Sequence, residues 1–417
     1  MEKILASIIT IGDELLIGQT VDTNSAWMAR ELNQAGIWVQ RRVAVGDDRS
    51  AIIQALEEEG RQSHIVLITG GLGPTADDIT KPVLCEYFGG KLVRDEATYA
   101  AVMQMFESRG LPVLQRNVDQ ALVPDVCTVL PNRRGTAPGM WFGKDEKIYV
   151  SMPGVPFEMK GLMEEEVIPR LRERFETPAL LHHTLITTGM GESFVAERLS
   201  GFEALLPPHI KLAYLPSFGL LKLRLTTVAP DKISAAAELS AEFTKMRDLL
   251  TDILVAETDQ PMSAILAEKL MTKGLTVGTA ESCTGGSIAS QITALAGSSQ
   301  YFSGSVVSYS NEVKMNVLGV QPATLERYGA VSEETVLEMA AGALKVLKTD
   351  CVMAVSGIMG PGGGSEEKPV GTVWIAAGGP GSLRAKKYHF RYDRARNIAM
   401  TCVAAQNELR KWLERSE

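Results

Sequence analysis

HIVLITGGLGPT, residues His64 to Thr75, decides the architecture of the front of the chain. An uncharged apolar run, Ile65 to Thr69, stops on Gly70-Gly71. A run that is continuous rather than alternating marks a strand covered on both faces. Working outward, the same punctuation recurs. Lys3 to Ile11 is a second apolar run, closed by Gly12. Thr23 to Ala35 reads as a helix with Asp22 as its N-cap and Gly36 as its stop, and Trp27, Met28, Leu32 and Ala35 fall on one side of it. Ile37 to Val45 reads as a strand and Arg49 to Glu59 as a helix. Short apolar strands alternating with helices predict an α/β unit, a parallel sheet with helices on both faces.

The order changes after residue 180. His183–Thr188, Ile210–Leu215 and Leu220–Val228 read as strands, Glu192–Leu205 and Lys232–Leu254 as helices, which makes a small α+β module. Thr177-Pro178 precedes it and Thr258-Asp259-Gln260-Pro261 follows. The last part returns to α/β. Ser263–Lys273 reads as a helix, Leu275–Thr279 as a strand, and Ala280 to Gly286 as a turn into a helix carrying Ile288, Ile292 and Leu295 on one face. Ser332-Glu333-Glu334 starts another helix, with acids at the favourable end of its dipole. Cys351–Val355 and Val370–Ala377 read as strands, and Asn397–Leu413 as the closing helix.

The 417 residues suit two to four domains, and an apolar fraction of 45% gives each an ordinary core. A net charge of −8 opposes a general nucleic-acid binder, which needs a basic field against the phosphates. The five cysteines contain no CxxC pair, so neither a disulfide framework nor a zinc site is expected, and reduced thiols in a cytoplasmic protein are. Ile4 to Ile11 is far shorter than the ~20 residues of a spanning helix, and Gly12-Asp13-Glu14 follows it without a small-residue cleavage site. Neither a membrane segment nor a signal peptide is expected.

Polar clusters interrupt the final α/β segment. In AESCTGG, Ala280 to Gly286, hydroxyl residues and two glycines stand at a helix start, where free N–H groups and the dipole can hold a phosphate or an oxyanion; a plain β–α connection has the same appearance. Ala296-Gly297-Ser298-Ser299 and Tyr309-Ser310-Asn311-Glu312-Val313-Lys314 follow. A serine nucleophile needs a base, and a desolvated lysine is one. The single histidine of this segment, His389, lies in a strand-like run and reads as a packing residue. A serine–lysine pair with Tyr309 to orient or relay is therefore the sensible chemistry, although spacing alone fits solvated loop residues as well. The glycine-rich stretch Ser356 to Gly364 either approaches a ligand closely or is a surface loop.

Taken together, AESCTGG, AGSS, YSNEVK, GAVSEE, SGIMGPGGGSEEKPVGTVW and DRARN resemble the C-terminal domain of the CinA family, the nicotinamide-nucleotide amidase called PncC, over about residues 260–415. The resemblance implies hydrolysis of nicotinamide mononucleotide to nicotinate mononucleotide and ammonia without a cofactor. Carried onto this sequence, it implies Ser299 as nucleophile, Lys314 as base and Tyr309 beside them. Ser282 and Thr284, with Gly285 and Gly286, would hydrogen-bond the substrate or its oxyanion. Gly360, Gly362 and Gly363 would wall the pocket. Arg396 would meet the ribose phosphate, with Arg394 as the alternative.

At the front, Thr10–Gly18, Asp22-Thr23-Asn24-Ser25, Val45-Gly46-Asp47-Asp48 and Thr69–Thr80, with RGTAPG and MPGVPFEM later, resemble the molybdopterin-binding fold of MogA and MoaB in its CinA version. In a loop that follows a strand, Gly70, Gly71, Gly73 and Thr75, with Asn24, suit a phosphate-bearing ligand. Asp77 and Asp78 suit a divalent cation between protein and pyrophosphate, or helix capping. The resemblance implies hydrolysis of ADP-ribose to AMP and ribose 5-phosphate with Mg, Mn or Co, in some relatives with potassium.

The middle module resembles a KH fold whose Gly189-Met190-Gly191-Glu192 turn is acidic where an RNA clamp is basic, so a spacer or dimerisation role is expected. The expected organisation is a MogA/MoaB-like three-layer α/β domain (1–175), a KH-like α+β domain (180–257) and an α/β amidase domain (260–417). The expected partners are small nucleotides and a second copy of the chain, with no membrane and no direct nucleic-acid contact. The alternative is a non-catalytic pterin or nucleotide binder that assists competence or DNA repair. Molybdenum cofactor insertion is a third reading, weakened because that pathway has no use for an amidase.

Overall fold

A computed structural model describes residues 3–75, 77–177, 179–229 and 232–415. Ala76 in the Gly-rich loop, Pro178 at an expected domain border, and residues 1–2 and 416–417 at the ends of the expected domains lie outside the described residues.

The fold is mixed α/β. The front sheet has six strands in the order Trp38–Val45, Leu5–Ile11, Ile65–Thr69, Lys147–Met152, Gly139–Lys144, Thr128–Leu130. The first four are parallel and the last two antiparallel. Ile65 to Thr69 are all buried, as the unbroken apolar run requires. Two cores flank the sheet. One is built on Met28 and Leu32 of the helix Asn24–Gln34 with Ile8, Leu67 and Val150, the other on Ile52 and Leu56 of the helix Arg49–Gln62 with Ile9, Val66 and Ile68. Alternate residues of each strand thus feed opposite layers. A ribbon of Leu92–Arg94 against Leu122–Pro124, with the helix Glu96–Ser108 between them in sequence, is an addition that the apolar pattern does not announce.

The middle segment runs strand Ala179–Thr188, helix Glu192–Ala204, strands Ile210–Ser217 and Leu220–Ala229, helix Lys232–Asp248. The expected helix to Leu254 stops at Asp248, and Leu254–Ala256 instead forms a short strand antiparallel to Ala179–Thr188. The chain divides into two compact units, Met1–Leu181 with Thr227–Glu238, and His182–Thr226 with Leu239–Glu417. Of the middle segment, His182–Thr226 belongs to the second unit and Thr227–Glu238 to the first.

The last sheet has the order Phe302–Val307, Val277–Glu281, Cys351–Gly357, Thr372–Gly378, Arg384–His389. Its first three strands are parallel and its last two antiparallel. The helix Arg394–Arg415 packs Cys402, Ala405 and Leu409 onto one face. The helix Glu333–Leu347 packs Val336, Met339 and Ala343 onto the other. Two expectations shift here. The strand read as Leu275–Thr279 lies at Val277–Glu281, so Ala280 and Glu281 belong to the sheet and not to the turn. His389 is exposed at the end of an edge strand rather than packed. All five cysteines are free thiols. Among the described residues no helix is long and apolar enough to cross a membrane.

Candidate active site

Parallel strands sort residues by edge: whatever follows a strand lies at the carboxyl edge of the sheet, whatever precedes it at the other. Ser282 follows Val277–Glu281, and Tyr309 and Lys314 follow Phe302–Val307, so all three gather at the carboxyl edge. Ser299 precedes Phe302–Val307. Six residues of strand place it about 20 Å away.

Lys314 lies on the short helix Asn311–Asn316, which Ser310 caps by accepting from the Val313 N–H. Its side chain is only 1% exposed. The Nζ is 3.0 Å from Ser282 Oγ, 2.7 Å from the Ser308 carbonyl and 3.3 Å from the Tyr309 carbonyl. Burial pushes its pKa below the ordinary lysine value of 10.5. A neutral amine has two N–H bonds and one lone pair. As an ammonium the group donates to all three oxygens; once neutral, with the carbonyls of Ser308 and Tyr309 keeping its two N–H bonds, its lone pair is left for the Ser282 hydroxyl, which is the arrangement of a base against its nucleophile. Ser299, the expected nucleophile, is instead an exposed residue of the turn Ser298–Gln300. The expected Ser299–Lys314 pairing is corrected to Ser282–Lys314.

Other expected contacts change with it. The Tyr309 side chain is 64% exposed and its hydroxyl accepts from Arg394 at 3.4 Å, so Tyr309 touches Lys314 through its carbonyl rather than its phenol. The Thr284 hydroxyl donates to Glu281 Oε2 at 2.7 Å and is not aimed at a substrate. Gly285 and Gly286 take positive φ of 62° and 97°, the left-handed turn that a side chain disfavours. The Gly286 N–H is spent on the Glu281 carboxylate at 3.1 Å, so it is no free oxyanion donor. Cys283 is buried and its thiol pKa is pushed up to about 12, which keeps it protonated and inert at neutral pH.

The glycine-rich loop lies beside this pair. Arg394 donates to the Gly360 carbonyl at 2.9 Å, and Asn397 donates to that of Met359 at 3.1 Å, so the start of the last helix holds the loop. Gly360 and Gly363 have φ of 86° and 87°, and residues 361–367, which include Gly362, are exposed. Of the two arginines, Arg394 faces Tyr309 and the loop, whereas Arg396 turns back to Asp393. The alternative arginine, not the first choice, is the one at the site.

In the front unit a cavity of about 410 Å³ opens at the carboxyl ends of the strands Leu5–Ile11, Ile65–Thr69 and Lys147–Met152, where ligands of open α/β sheets bind. Gly70, Gly71, Gly73, Asp47, Asp77, Asp78, Gln120 and Glu158 line it. At Gly70, φ is 113° and a Cβ would run into the Ile11 carbonyl. The Asn24 amide donates to the Gly154 carbonyl at 2.7 Å, in an adjoining cleft that Gly70 also lines. Thr75 and Asp78 close on each other: both the N–H and the hydroxyl of Thr75 donate to Asp78 Oδ2. Asp78 is thereby occupied in shaping the loop. Asp47, missed from sequence, is the better cavity carboxylate. Its pKa is raised by burial and by the neighbouring charges of Asp13, Glu14 and Asp77, against a hydrogen bond with the Asp13 backbone that lowers it. Among the described residues no three His, Cys, Asp or Glu side chains converge as a ready metal cage. Magnesium commonly takes one or two carboxylates plus substrate phosphates, and Asp47 with Asp77 fit that pattern.

Fold and sites together define a multidomain α/β protein with a molybdopterin-binding-type front and a buried serine–lysine pair behind. The model of the CinA C-terminal domain matches residues 259–413, and that described as "Probable molybdopterin binding domain" matches residues 7–173. A CinA-like protein of Cytophaga hutchinsonii is 44% identical over 99% of this chain and 98% of its own length. One of Flavobacterium psychrophilum is 45% identical over 95% and 97%. The chain belongs to the CinA family. Among solved structures, competence damage-inducible protein A of Klebsiella pneumoniae is 37% identical, covering 37% of this chain and 97% of that one, with a TM-score of 0.37. The Agrobacterium tumefaciens protein CihA is 39% identical, covering 38% and 99%, with a TM-score of 0.36.

Proposed function

We propose that the chain is a hydrolase of pyridine nucleotides whose C-terminal domain converts nicotinamide mononucleotide and water to nicotinate mononucleotide and ammonia. One observation carries this reading: the buried Lys314 Nζ lies 3.0 Å from Ser282 Oγ. The Ser282 proton passes to Lys314 Nζ as Oγ attacks the carboxamide carbon. The C–N bond breaks, and the leaving nitrogen takes that proton from Lys314 and departs as ammonia. Water, giving a proton to Lys314, attacks the acyl-serine ester; its C–O bond breaks, the proton returns to Ser282 and the acid leaves. Arg394 binds the phosphate of the mononucleotide, and the loop through Gly360 borders the site.

For the front domain the reading is hydrolysis of ADP-ribose to AMP and ribose 5-phosphate. The glycines of the 70–73 loop let backbone approach the diphosphate, and Asp47 and Asp77 would hold a divalent cation. When bound, that cation supplies positive charge against the diphosphate oxygens. Incubating the protein with each nucleotide, with and without divalent metal, and following ammonia and AMP tests both activities separately. An absence of ammonia from nicotinamide mononucleotide removes the amidase reading. The chain is read as cytoplasmic and as a homodimer on the family resemblance.

A further inference from the structure

Glu281 ends the strand Val277–Glu281 and is 0% exposed. A carboxylate taken wholly out of water is costly unless its oxygens are filled with donors. Here they are. Oε2 accepts from the Thr284 hydroxyl at 2.7 Å, the Ile288 N–H at 3.0 Å and the Gly286 N–H at 3.1 Å. Oε1 accepts from the Ala289 N–H at 2.8 Å and the Thr279 hydroxyl at 3.3 Å. The carboxylate therefore plugs the start of the helix Ser287–Thr293 and leaves no room there for a substrate phosphate. The same residue reaches the other half of the pair through its main chain. Its carbonyl accepts from the Ser308 N–H at 2.8 Å, and the Ser308 carbonyl accepts from Lys314 Nζ at 2.7 Å. Ser282 is the next residue, and its own N–H is fixed on the Val355 carbonyl at 3.0 Å.

We infer that Glu281 is the positioning residue of the serine–lysine pair: its side chain clamps the 282–289 turn, its carbonyl clamps the Ser308 segment, and together they set Ser282 Oγ against Lys314 Nζ. The inference rests on the amidase reading but is read out separately from it. In Glu281→Gln one carboxylate oxygen becomes an NH2 group that meets the N–H of Ala289 or of Gly286 and Ile288 donor to donor. The turn shifts and the pair parts while the phosphate-binding Arg394, on another element, stays in place. Misplacement by about 1 Å costs about a hundredfold in rate.

The test compares wild type, Glu281→Gln and Thr284→Val, the last removing one donor from the carboxylate and leaving its charge. Three quantities are read: kcat and KM for nicotinamide mononucleotide, Tm, and the rate at which phenylmethylsulfonyl fluoride adds to Ser282, followed by intact mass. The expected result is a kcat loss of about a hundredfold for Glu281→Gln and about tenfold for Thr284→Val, KM within about twofold, and parallel slowing of Ser282 sulfonylation in folded protein. A folded Glu281→Gln with near wild-type kcat, or a loss confined to KM, overturns the inference. Where Glu281→Gln does not fold, Thr284→Val decides, and an unchanged kcat and labelling rate there overturn it too. A wild type that releases no ammonia but is sulfonylated at Ser282 removes the substrate assignment and leaves the labelling comparison to judge Glu281.

Discussion

Lys314 Nζ and Ser282 Oγ lie 3.0 Å apart although 32 positions separate them in the chain. Two neighbouring parallel strands deliver them to one edge of one sheet, and the burial that brings the amine there also lowers its pKa. Position and basicity thus have one cause.

Ser282→Ala is expected to lose ammonia release from nicotinamide mononucleotide by about a thousandfold or more, since it removes the oxygen that forms the hydrolysable acyl ester. Ser299→Ala, an exposed change on a distant turn, should keep within about threefold of wild-type kcat. Steady-state kinetics on the two variants side by side checks this, and the opposite ranking would return the nucleophile to Ser299.

The pH profile follows from Lys314. Its folded pKa is lowered from 10.5 by desolvation, so the neutral, active amine is reached at lower pH than in a free lysine. Amidase kcat should rise with pH and level off below 10.5. For stability the sign is the same: between the folded pKa and 10.5 the unfolded chain binds more protons, so unfolding free energy rises with pH across that window. Lys314→Met should abolish turnover and flatten that slope in urea titrations at several pH values.

Arg394→Ala should raise KM for nicotinamide mononucleotide about tenfold or more, because Arg394 faces Tyr309 and the Gly360 loop and the change removes the ion pair proposed with the phosphate. Arg396→Ala, whose guanidinium pairs with Asp393, should leave KM nearly unchanged. Equal effects in the two variants would contradict this assignment.

Asp77→Asn should weaken metal-dependent AMP release from ADP-ribose, and Asp47→Asn should do so as strongly. Asp78→Asn should act through the loop that Thr75 and Asp78 close, raising protease sensitivity near residue 75. Metal titrations of AMP release and limited proteolysis distinguish the two kinds of loss.

Gly342→Ala tests the packing behind the site. A Cβ there would overlap the Leu318 carbonyl, a backbone atom without freedom to move aside. A loss of about 1–3 kcal/mol in unfolding free energy is expected, measured by denaturant titration, despite the better helix propensity of alanine.

By itself the sequence determined the alternation of strands and helices, the two α/β regions with a different module between them, and the clusters in which the chemistry had to lie. Periodicity and glycine punctuation are local signals, and AESCTGG, YSNEVK and TGGLGPT could be read without knowing what they touch. Only the tertiary structure decided which serine the lysine meets. Ser282 and Ser299 both stand in polar turns beside the same pair of strands, but one follows a strand and the other precedes one, and strand direction sends them to opposite edges of the sheet. The same holds for Glu281, hidden because the strand runs two residues further than its apolar pattern, and for Asp47, which is held by reciprocal hydrogen bonds with Asp13 far along the chain. Burial and the direction of a side chain are properties of packed elements, and no window of sequence contains the neighbours that fix them.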